Sequence, residues 1–167
     1  MLQPIVENLQ KSLVLLSSIS RTAYTDTSIA PYHVSIGGHL RHLLDFYACF
    51  FEGYTNGMVD LTARKRALLI ETDQEAAKAY ALRIIGQLEA IKDNDFDRIL
   101  HVTDDLGGGK KTVTYSVAAL LFQIHSHTLH HYASIGYIVY QLGVSIEDPT
   151  FGVNPTSPKH KVVGGDR

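Results

Sequence analysis

A chain of 167 residues, 45% of them hydrophobic, has the length and apolar content of one domain with its own core. Its formal net charge of -2 carries no electrostatic footprint for nucleic acid or an anionic membrane, so neither is expected as a partner. Cys49 is the sole cysteine, which excludes an internal disulfide and fits a reducing, cytoplasmic setting; no secretory leader pattern opens the chain, and no apolar run reaches membrane-spanning length.

Pro4 suits a first helical turn, and Ile5, Leu9, Leu13 and Leu16 recur at helical spacing, so a first helix is expected over residues 3–21. The polar stretch Thr22 to Ser28, then Pro31, breaks it. Ser35 is placed to cap a second helix that runs to the stop signal Asn56-Gly57. Asp60 to Thr72 reads as a connection with at most a short helical turn. Thr72 and Glu75 have capping-box spacing, and Ala77, Tyr80, Ala81, Ile84, Leu88 and Ile91 form one face of a third helix.

Two β-prone runs, Arg98–Thr103 and Lys111–Tyr115, flank Asp104-Asp105-Leu106-Gly107-Gly108-Gly109 and predict a hairpin or extended crossover. The glycines match neither a Walker loop nor a dinucleotide fingerprint, and Lys110 and Lys111 read as a solvated edge. Ser116 caps a fourth helix that runs to about Leu142 and ends at Gly143. The expected fold is an all-α four-helix bundle over residues 1–146 with a short extended or hairpin insertion before the last core helix. An irregular tail over 147–167 follows, packed in part through Phe151 and Val153.

The nine histidines are the compositional anomaly. His127 and His131 are separated by one helical turn, so their imidazoles share a helix face and can share one metal ion. His131 falls inside the apolar stripe of Val117, Leu120, Leu121, Ile124, Ile135, Ile138, Val139 and Leu142, and His127 lies on its edge. His125 and His130 point elsewhere. A single histidine so placed is more often a hydrogen-bonded core residue; the pair, with a histidine-bearing partner helix, points to a metal. The second helix offers His39 and His42. Its stripe of Ile36, Leu40, Leu43, Tyr47, Phe50 and Tyr54 lies nearer His39, whereas His42 lines up with Phe46 and Cys49, so periodicity alone leans to His39.

The segment Ser35-Ile36-Gly37-Gly38-His39-Leu40-Arg41-His42 resembles the helix-two signature of the DinB/YfiT-like superfamily, a Ser-Ile-Gly start followed by a ligand histidine at the place of His42. His127-Thr128-Leu129-His130-His131, with Leu142-Gly143 closing the helix, resembles its second signature, His-x-x-x-His on the last core helix. The resemblance runs over residues 3–145. It implies a divalent metal, zinc or nickel, on His42, His127 and His131, with water or substrate completing the coordination. Relatives in that superfamily include transferases using low-molecular-weight thiols and a thiol-dependent isomerase, and dimers are common, so a small-molecule substrate and a homodimer are expected. The additional His39 joins the ligands, supports them or replaces His42.

Three neutral imidazoles and an open position suit Lewis-acid chemistry on a water or a small thiol, for transfer or hydrolysis. No glutamate sits where a zincin needs one, no Glu-x-x-His marks a di-iron bundle, and Cys49 on an aromatic-rich helix reads as a small hydrophobe. Tyr47 and Tyr132 read as packing residues, and Arg41 with Asp45 as a surface ion pair. No catalytic residue beyond the ligands and no organic cofactor is indicated. The competing reading is a non-catalytic metal-binding or structural bundle, with His39 closing a four-ligand site.

Overall fold

Four long helices form where the apolar periodicities and caps coincide, and a small sheet forms where they fail. The computed structural model describes residues 1–158. In chain order its elements are α1 (Gln3–Ser18), α2 (Arg21–Thr25), α3 (Ile36–Tyr54), β1 (Met58–Asp60), α4 (Leu68–Thr72), α5 (Gln74–Glu89), β2 (Ile99–Asp105), β3 (Lys110–Ser116) and α6 (Val117–Gln141). A 3-10 turn at Asp93–Asp95 precedes β2.

The fold is therefore mixed α/β, and the expected all-α four-helix bundle is corrected. The hairpin is not an appendage. β2 pairs antiparallel with β3, from Ile99↔Ser116 to Asp105↔Lys110, and parallel with β1 through Met58↔His101, Val59↔Val102 and Asp60↔Thr103. Val59, Leu61, Leu100 and Val102 from this sheet enter the same core as the helices. A three-residue strand has too few positions to show a period. It exists because β2 supplies its hydrogen-bond partners.

The serine caps act as their sequence contexts imply. Ser35 Oγ accepts from Gly38 N at 3.0 Å, and Ser116 Oγ accepts from Ala119 N at 3.1 Å. Three boundaries differ. α1 stops at Ser18, and Ser20 caps a separate short helix, α2. Asp73, rather than Thr72, caps α5, its Oδ1 accepting from Glu75 N and Ala76 N. Ile91 is buried but lies beyond the end of α5. In the tail, Phe151 stacks on Tyr132 with centroids 4.5 Å apart, whereas Val153 is exposed. The part of the expected tail after residue 158 lies outside the described residues.

Helix α3 is the hub, packing against α2, α4, α5, α6 and β1. Two glycines allow this closeness. A Cβ on Gly37 would collide with the backbone carbonyl of Glu71 in α4, and one on Gly53 with that of Met58. The Ser-Ile-Gly run thus has a structural meaning at each position: Ser35 caps, Ile36 is fully buried, and Gly37 admits α4. No helix among the described residues is long and apolar enough to cross a membrane.

Candidate metal centre

Helices α3 and α6 lie side by side, and their facing turns bring three histidines together. His42 from α3 meets His127 and His131 from α6, each offering a ring nitrogen within 4.8 Å of the others'. Ring centroids are 5.1 Å apart for His42–His127, 4.7 Å for His42–His131 and 4.5 Å for His127–His131. His127 and His131 are the pair that the helix-face argument singles out, whereas His42 is the position that the helix-two resemblance implies and the wheel leans away from, toward His39. His130 is exposed and His125 lies apart from the group.

His39 has a different place. One turn before His42 on α3, its Nδ1 lies 2.8 Å from Nδ1 of His131, a hydrogen bond between two imidazoles. It is not a member of the three-histidine group. The bond fixes the ring plane of His131 and occupies one of its two nitrogens, leaving Nε2.

The environment keeps these rings neutral. Burial, reinforced by the neighbouring His127 and by Arg64, Arg41 and His39, lowers His42 to about 4. Burial, His130 and Arg64 lower His127 to about 4, against an opposing pull from Asp104. Burial and the four surrounding histidines lower His131 to about 3. Burial followed by His130 lowers His39 as well. At neutral pH each ring therefore has an unprotonated nitrogen, the state a metal requires. His127 Nε2 is buried and, among the described residues, has no hydrogen-bond partner. A buried imidazole nitrogen without a partner costs free energy, and a cation between the rings would satisfy it.

Aromatic side chains and buried core residues surround most of the group. Phe46 lies against both ligand-bearing helices, its ring 5.2 Å from His42 and 4.2 Å from His127. Tyr47 and Tyr132 are fully buried, with Tyr47 OH 3.3 Å from Thr128 Oγ1, so both pack in the core. Cys49 is buried and its thiol is pushed up to about 11, which rules against a thiolate nucleophile there. Phe50 is fully buried and meets Phe51 edge-to-face and Tyr54 at a tilt within the chain.

Arg41 and Asp45 depart from the surface ion pair expected of them. Asp45 is only 1% exposed, and Arg41 Nη1 donates to its Oδ2 at 2.8 Å while Nε donates to Glu71 Oε1. Arg64 is the neighbour that sequence reasoning misses. It lies between β1 and α4, in a stretch with no helical or strand period, and its guanidinium carbon stands 5.4 Å from the Phe46 ring centroid. Only the folded chain brings it beside the histidines. A hollow of about 550 Å³ opens elsewhere, between residues 28–34 and the last turns of α6, and none of the three histidines lines it.

No family model, curated protein or solved structure matches this chain.

Proposed function

We propose that the protein is a metal-dependent enzyme of the DinB-like type, acting on a small molecule through a divalent ion held by His42, His127 and His131. The observation that carries this reading is three neutral imidazoles from two helices, one with a buried and unpartnered nitrogen, converging within 4.8 Å. Zinc and nickel both suit an all-imidazole set. Bound there, such an ion would supply Lewis acidity, lowering the proton affinity of a water or thiol beside it.

The chain's own residues supply the rest. α3 and α6 hold the ligands on rigid elements. His39 orients His131, and Phe46 keeps an apolar wall beside the reacting centre. Among the described residues no fourth protein ligand joins the group and His39 is spent on His131, which supports an open position rather than a closed structural site. Transfer of a low-molecular-weight thiol, or hydrolysis, is the reaction class that fits. A reducing, cytoplasmic compartment belongs to the same proposal and is supported by the single buried thiol of Cys49.

The test is a screen of zinc- or nickel-loaded protein for consumption of small thiols in the presence of electrophiles. The expected result is an activity removed by chelation and by His127→Ala. An activity indifferent to both would place the chemistry elsewhere.

A further inference from the structure

The metal reading leaves one cation at the site unexplained. Arg64 stands over the Phe46 ring at 5.4 Å, and that ring abuts His127 at 4.2 Å and His42 at 5.2 Å. The guanidinium is therefore one aromatic ring away from two of the three imidazoles. Among the described residues it forms no ion pair: the pairs there use Lys11, Arg41, Lys65, Lys78 and Lys110. Its nitrogens are not among the buried unpartnered atoms, and the residue is partly exposed, so its charge meets solvent.

Neither of the carboxylates near the site pairs with it directly. Asp45 is buried and held by Arg41, and Asp104 sits on β2 opposite Lys111. Arg41, one residue from His42, shows what a committed arginine looks like in this fold, with two carboxylates on its fork. A cation placed one aromatic ring away from a cluster of metal-binding imidazoles is unfavourable for metal uptake. An anionic ligand bridging the two positive centres would reverse that penalty.

Building on the metal reading, we propose that Arg64 selects substrates carrying an anionic oxygen group, a carboxylate or a phosphate, close to the atom that binds at the open coordination position. The planar fork of the guanidinium suits either oxyanion, and stacking on Phe46 limits the freedom lost when it binds. The role is one of recognition and positioning: the anion is held on Arg64 while the reacting atom is held among the histidines.

Cobalt-loaded protein tests this by its visible absorption, titrated with 3-mercaptopropionate and with 2-mercaptoethanol, which share a thiol but differ in the carboxylate. Wild type should bind the anionic thiol at least about tenfold more tightly, the worth of one charge-assisted contact. Arg64→Gln should bring that ratio close to one while leaving 2-mercaptoethanol binding unchanged and cobalt uptake no weaker, and Arg64→Lys should restore part of it. Acetate and inorganic phosphate as competitors at fixed ionic strength then tell which oxyanion is preferred. Equal binding of the two thiols by wild type, or a preference that survives Arg64→Gln, overturns the proposal. Failure to take up cobalt, seen before any thiol is added, refutes the metal reading and this proposal with it.

Discussion

Helix α3 presents two polar sets to two neighbours, and the fold completes only one of them. Toward α4, Arg41 closes on Asp45 and Glu71, and every charge in that set has a partner. Toward α6, His42 meets His127 and His131, and a buried imidazole nitrogen has none. Both sets contain an i, i+4 pair, so spacing alone does not distinguish them. What distinguishes them is satisfaction: a finished ion network holds the helices together, and an unfinished imidazole cluster is one that a cation would complete.

The largest effect expected of any single change here is on the finished set. Arg41→Met leaves the Asp45 carboxylate buried beside α4 without its partner, and removing one member of a buried pair costs about 3–5 kcal/mol. Urea denaturation should show that loss, and Arg41→Met/Asp45→Leu should recover a good part of it. If the single variant is as stable as wild type, the network contributes nothing to holding α3 to α4.

A smaller effect is expected at the junction between the ligands and their support. His39→Ala should weaken metal binding about 10–100-fold, the usual consequence of removing a group that orients a ligand imidazole, while one ion per chain still binds at saturation. A drop in saturating stoichiometry would instead make His39 a ligand.

A third effect is on stability against pH in chelator-treated protein. The folded-state values of about 4 for His42 and His127 and about 3 for His131 lie below the ordinary 6.5. The unfolded chain therefore takes up protons first as the pH falls. Stability contributed by neutral burial is whole above about 6.5, declines as pH drops toward about 3, and levels off below. Thermal melts across that window should slope downward with acid in wild type and less so in His131→Asn. Equal slopes would mean that these rings are not what acid attacks.

The two sets also differ in how much of them is legible in sequence. The helix-borne histidines are, because a turn of α6 and a turn of α3 carry them at fixed angles, and the Ser35 and Ser116 caps fix where those helices start. The choice between His39 and His42 is not, since both face α6 and the wheel favours His39; the helix-two motif favours His42, and the packing gives each its own task. The burial of Asp45 and the closure of α4 on α3 at Gly37 both arise from approaches between segments that no local pattern encodes. The same holds for β1 and for Arg64, both in stretches too short or too irregular to carry a period. The error in fold class has this origin: three strands of a mixed sheet are assembled by pairing across the chain, and only the hairpin half of that pairing is local.

The most direct test of the account is metal content per chain, by elemental analysis of protein purified without an affinity tag, alongside His42→Ala, His127→Ala and His131→Ala. The geometry predicts about one zinc or nickel ion per wild-type chain and loss of that ion in all three variants with the fold retained by circular dichroism. Folded wild-type protein that holds no metal and takes up neither added zinc nor added nickel would contradict it, and the histidines would then be packing residues of the α3–α6 seam.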